Sequence, residues 1–277
     1  MAALHISISA EPLFQVSGFT VTNSTLTGIL VSFLIILFIL FLASTKKKGY
    51  QPGSRLHVFF EMIIEALYNL TTEIAGHQKG PIFFPLIASS FIFILANNWF
   101  GLLPSVGTIG FIKPEPLPVE IPAQASAPGQ VQAATTEQAH QSAKEPKFTP
   151  LFRAATADLN TTLALALISV SLTQFYGIRH LGLSYFKKFI NLSNPINTFV
   201  GILEIISELA KIISFAFRLF GNIFAGEVLL AVISFLIPAL APLPFLGLEI
   251  FVGLIQALVF AMLTLVFINM ATLSHDH

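Results

Sequence analysis

A guanidinium and two carboxylates stand inside long apolar runs of this 277-residue chain, where charged side chains are costly. Arg218 lies in ELAKIISFAFRLFGNIFAGEVLL, with Glu227 nine residues further on. Placing an arginine at the centre of a helix in lipid costs about 2.5–3.5 kcal/mol on insertion scales. Such a charge persists where it faces a partner, a cavity or water. At about 100° per residue, Glu204, Glu208, Lys211, Ser214, Arg218 and Asn222 fall along one stripe of a helix. Glu227 sits about 13.5 Å beyond Arg218 and on the opposite face, so it is no simple intrahelical partner. The arginine keeps its charge available to something outside its own helix. A fixed cation and titratable carboxylates along apolar helices fit ion passage.

Further along, Glu249 and Gln256 are seven residues apart, hence on one helical face. An antiparallel turn about Pro238, Pro242 and Pro244 would bring Glu249 near Glu227 and Gln256 near Arg218. Each polar residue also has a plainer reading. Gln256 fits an interhelical hydrogen bond. Glu208 and Lys211, three apart, can pair with each other, and with Glu204 they also fit a helix end at the membrane surface. Asp158 and Asn160 fit either a helix N-cap or a polar path. The seven histidines are scattered without the paired spacing of a zinc helix, and cysteine is absent. No metal and no cofactor is therefore expected. The formal net charge is zero, so no basic field points to nucleic acid.

The elements that must hold these residues are membrane helices. Hydrophobic residues make up 55% of the chain and charged ones only 10%, with a mean hydropathy of +0.81; soluble domains carry about a quarter charged residues. Runs near 24–44, 81–103, 158–178, 195–236 and 246–272 reach or exceed the roughly 20 residues a helix needs to cross a bilayer. The fourth, at about 1.5 Å per residue, is roughly 60 Å long and must bend, tilt or lie partly at the surface. Residues 54–77 carry Glu61, Glu65 and Glu73 beside Phe59, Met62, Ile63, Leu67 and Leu70, the pattern of an amphipathic helix lying at the interface. Residues 105–155, rich in Pro, Ala and Gln, cannot bury a core and are expected to form a flexible external loop. Lys46, Lys47 and Lys48 close the first span, and Arg179, Lys187 and Lys188 follow the third. By the positive-inside rule the N-terminus lies outside and the C-terminus in the cytoplasm. Residues 1–23 contain no Lys or Arg, so they do not read as a secretory signal. The fold class is an all-α polytopic membrane protein of five crossing elements plus one interfacial helix, its last two long helices forming a tilted antiparallel hairpin.

The blocks RLFGN with Arg218, AGE with Glu227, QALVFAMLTLVFINMA, TADLNTTLALAL and NNWFGLLP resemble the a subunit of F-type ATP synthases, of bacterial type. The similarity covers nearly the whole chain apart from residues 105–155. It implies a subunit that is no enzyme on its own, placed in the bacterial inner membrane. Its partners would be a ring of c subunits, the b subunits of the peripheral stalk, other synthase subunits and the lipid bilayer. Arg218 would face the ring carboxylate, draw it into its ionised form and block a direct leak between two offset half-channels, with Gln256 beside the arginine. The external half-channel would use Glu227, Glu249, Asn222, Asp158, Asn160 and Asn98; the internal one Glu204, Ser207, Lys211 and Ser214. Where Glu249 stands, some members of the family have a histidine, and Glu227 and Glu249 are expected to share a proton. The coupling ion is set largely in the ring, with the proton as the expectation. The rival class, a secondary transporter or channel gated by an intramembrane Arg–Glu pair, would show internal repeats or paired broken helices; the sequence has no such symmetry.

Overall fold

The structure is a computed structural model that describes residues 10–16, 19–46, 55–103, 106–113, 147–189, 194–237 and 240–273. Helix dominates because most of the chain is unbroken apolar sequence, which in lipid must satisfy every backbone N–H and C=O within the segment itself. The long helices are α1 (Asn23–Lys46), α2 (Arg55–Gly101), α3 (Leu159–Leu181), α4 (Pro195–Leu236) and α5 (Pro242–Ala271), and all five are long and apolar enough to cross a membrane. Pro195 and Pro242 open α4 and α5 at first-turn positions, where the missing proline N–H has no helical partner to lose.

α2 is two helices in one run. Gly76 has φ 78° and ψ 162°, outside helical space and readily reached only by glycine. The break falls at the end of the stretch read as amphipathic, and Glu61, Glu65 and Glu73 are all exposed on it. α4, by contrast, is continuous over 42 residues.

The core lies between the second half of α2 and α5, where Phe83, Ile87, Ile94, Leu265 and Ile268 are fully buried. Polar pins fix the two helices at both ends. Asn98 Nδ2 and Trp99 Nε1 donate to the carbonyls of Gly253 and Ile250, each at 3.1 Å. At the other end Asn269 donates to the Ile74 carbonyl at 3.0 Å, and Lys79 Nζ to the Thr272 carbonyl at 3.1 Å. α3 joins α5 through Ser169 and Thr264 hydroxyls 2.8 Å apart. α4 packs on α3 and α5, with Phe215 stacked on Phe267 and tilted against Phe260.

Residues 105–155 differ in part from the single flexible loop expected. β3 (Gly110–Lys113) pairs antiparallel with β4 (Lys147–Pro150), and Arg153 through Asp158 are buried against the helices. The composition of the whole insertion is dominated by its Pro-, Ala- and Gln-rich centre, which hides the short apolar and β-branched ends GFIK and KFTP. A second small hairpin, β1 (Pro12–Val16) with β2 (Phe19–Thr22), precedes α1 directly. The loop centre at 114–146, Lys47 and Lys48 of the basic run, and Pro238 of the turn lie outside the described residues.

Candidate functional site

Arg218 projects from α4 on an exposed face. Among the described residues its contact is from Nη2 to Ser214 Oγ one turn back, at 3.4 Å, the outer limit of a hydrogen bond. Among the described residues no carboxylate lies within ion-pair distance of it. A guanidinium offers five donors and stays protonated, so this group is cationic and almost wholly unused by its own chain. Ser207, Ser214 and Asn222 are exposed on the same helix.

Behind that face α4 meets α5 in an antiparallel register. Asn222 Nδ2 donates to Gln256 Oε1 at 2.6 Å. One turn on, the Glu249 carboxylate packs directly against Gly226, where any Cβ would overlap it. Glu249 and Gln256 are both buried, and Gln256 Nε2 has no hydrogen-bond partner among the described residues. The bond to Asn222 ties Gln256 to the residue one turn from Arg218.

Glu227 forms no hydrogen bond with Glu249 among the described residues. Arg153 reaches it instead, with Nε and Nη2 at 3.3 and 3.2 Å from Glu227 Oε2. An Arg218–Glu227 gate is not formed either. Sequence reasoning missed Arg153 because its charge balances acidic residues in the same insertion. The signal was local: PLFRAATA has no acidic residue within four positions on either side.

The remaining outer residues serve as joints. Asp158 is the N-cap of α3, its Oδ1 accepting the Asn160 N–H at 3.1 Å, while Ser24 Oγ donates to its Oδ2 at 2.6 Å. The Asn160 side chain is exposed. Asn98 accepts from Thr156 Oγ1 at 2.7 Å while donating to α5, so both ends of its amide are engaged. At the opposite end of the molecule, the 3-10 segment Gly182–Lys188 sends Lys188 to α4, with Nζ 2.6 Å from Glu204 and 3.5 Å from Glu208. Lys211 completes the cluster at 2.8 Å from Glu208, as the three-residue spacing predicts, and lies 4.8 Å over the Phe267 ring. Tyr185 donates to Gln174 Oε1 at 2.5 Å. Burial, then Glu208 and Glu204, push its phenol up to about 12. Among the described residues no three His, Asp or Glu side chains are grouped to hold a metal.

Five long apolar helices, the buried carboxylate of Glu249 between two of them and a cation on an exposed face define a multi-pass membrane protein. Comparison with known proteins agrees. The ATP synthase A chain family matches residues 25–269. The chain is 32% identical over 255 residues to ATP synthase subunit a of Moorella thermoacetica, covering 92% of each chain. It is 31% identical over 248 residues to the subunit a of Syntrophobacter fumaroxidans (89% of this chain, 84% of that one). It is also 31% identical over 275 residues to the chloroplastic subunit a of Stigeoclonium helveticum (98% and 93%). The chain belongs to the ATP synthase A chain family: it is a membrane subunit of that multi-subunit complex and not an enzyme by itself.

Proposed function

We propose that this subunit carries protons between the aqueous phases and a carboxylate on a ring of c subunits, turning proton flow into ring rotation. The observation that carries the reading is Arg218, exposed, cationic and without an acidic partner among the described residues. An opposite charge within about 4–6 Å favours the ionised form of a carboxylate. A ring carboxylate passing Arg218 would release its proton there; away from it, facing lipid, desolvation keeps it protonated. The arginine also separates two half-paths, because a proton cannot pass a fixed cation without crossing its field.

The outer half-path runs along Glu227, Glu249 and Asn222, with Asp158, Asn160 and Asn98 as its wall. The inner one runs along Glu204, Ser207, Lys211 and Ser214, with Lys188 at its mouth. On this reading the N-terminus lies outside, the C-terminus in the cytoplasm, and α4 with α5 forms a tilted hairpin against the ring. The b subunits of the peripheral stalk would hold the subunit while the ring turns. The test is ATP-driven proton pumping in inverted membrane vesicles carrying Arg218→Ala, with and without sodium. Pumping should vanish in both media while the complex remains assembled. Pumping at the wild-type rate would end the reading, and pumping that needs sodium in the unaltered protein would replace the proton as the ion.

A further inference from the structure

Glu227 is held by a cation that lies on neither α4 nor α5. Arg153 stands in the extended stretch between β4 and the 3-10 turn Ala155–Ala157. Both of its bonds to Glu227, from Nε and Nη2, end on the same oxygen, Oε2. Oε1 accepts no hydrogen bond among the described residues. The two halves of the pair are unequal: the Arg153 side chain is 7% exposed and that of Glu227 44%. A buried, permanent cation thus grips one oxygen of a carboxylate whose other oxygen is open.

The grip is built from elsewhere in the chain. The N-terminus of α1 holds the stretch that carries Arg153. Asn23 Nδ2 donates to the Pro150 carbonyl at 3.2 Å, Thr27 Oγ1 accepts the Arg153 N–H at 3.3 Å, and Ser24 holds Asp158. The guanidinium also sits 5.9 Å over the Phe224 ring of α4. Three polar residues of one helix and one ring of another therefore aim a charge at Glu227.

We infer that Arg153 is a positioning residue of the outer proton path, fixing Glu227 with one oxygen bound and the other open and so setting the external pH at which Glu227 takes up protons. This rests on the reading of Glu227 as a proton carrier. The guanidinium does not titrate in the working range, so its charge acts on Glu227 at every pH. Among the described residues, the Glu249 carboxylate of α5 packs against the neighbouring Gly226, Asp158 at the start of α3 is bound by Ser24, and Glu11, just before β1, is buried. Arg218 lies on the opposite face of α4, about 13.5 Å along it.

The test uses the complete ATP synthase in liposomes, with ATP synthesis driven by an acid step and measured against the pH on the outer-path side. Without the cation, Glu227 binds protons at higher pH. Arg153→Gln should therefore move the half-maximal pH upward by about one unit, the low end of what a neighbouring opposite charge does. Arg153→Lys, which keeps the charge, should leave the midpoint near wild type. In a Glu227→Gln background, Arg153→Gln should move nothing further. An unmoved midpoint in assembled Arg153→Gln, a full shift in Arg153→Lys, or an equal shift without Glu227 would each overturn the inference. A wild-type rate and profile in Glu227→Gln alone would instead remove Glu227 from the path, and the proposed function of that residue with it.

Discussion

Arg153 and Arg218 carry the same guanidinium beside the same helix under opposite conditions. Arg153 is buried, bonded through two nitrogens to Glu227 and held over Phe224. Arg218 is exposed on a helix with apolar neighbours and has a 3.4 Å contact to one serine. A buried charge persists only when paired, and Arg153 follows that rule within its own chain. Arg218 follows it only if its partner belongs to another subunit. The difference separates a charge that the fold uses for itself from one that it presents.

Removing each arginine breaks the comparison most sharply. Arg153→Ala leaves Glu227 without its partner and should cost about 1–3 kcal/mol, the range for a lost hydrogen bond to a charged group. Arg218→Ala breaks no ion pair among the described residues and should abolish pumping. Thermal melting of the solubilised complex reads the first and ATP-driven pumping the second. Gly226→Ala comes next. Its new Cβ falls on the Glu249 carboxylate, and the side chain must swing away, at about 1–2 kcal/mol, the lower part of the overpacking range. The same melting experiment checks it, and an unchanged melting temperature would show that Glu249 does not pack there.

A double-mutant cycle on Asn222→Ala and Gln256→Ala should return a coupling of about 0.6 kcal/mol, with about 1.7 as the ceiling for hydrogen bonds between membrane helices. Zero coupling would separate the arginine-bearing face from α5. The smallest effect belongs to Tyr185 at the far end. Its phenol titrates near 12 in the folded chain against 10.0 ordinarily, so the fold favours the neutral form. That contribution is complete below about pH 10 and is lost as pH rises toward 12. Tyr185→Phe should remove a phenolate that forms near pH 12 from the ultraviolet absorbance curve.

The exceptional residues were the most legible. Arg218, Glu227, Glu249 and Gln256 stand out because charge and amide groups are rare in apolar runs, and helical periodicity alone put Arg218 and Glu227 on different faces. The Glu208–Lys211 pair followed from spacing in the same way. Contacts made through loops were not legible. Arg153 looked like one charge among several in a polar insertion, and no periodicity links residue 153 to 227. Lys188 is hidden likewise: its reach to Glu204 depends on a 3-10 segment folding back onto α4. Asp158 shows the middle case, where sequence offered a cap or a path and the structure supplies the cap together with Ser24.

The central claim is that the partner of Arg218 comes from outside the chain, and proximity tests it most directly. The sequence contains no cysteine, so one introduced at Ser214 or Asn222, one turn to either side of Arg218, is unique. In the intact complex, oxidation should join either cysteine to one placed beside the proton-binding carboxylate of a c subunit, and a cysteine at Ser44 on α1 should give no such product. Failure of both positions in an active, assembled complex, or an equal yield from Ser44, would contradict the account.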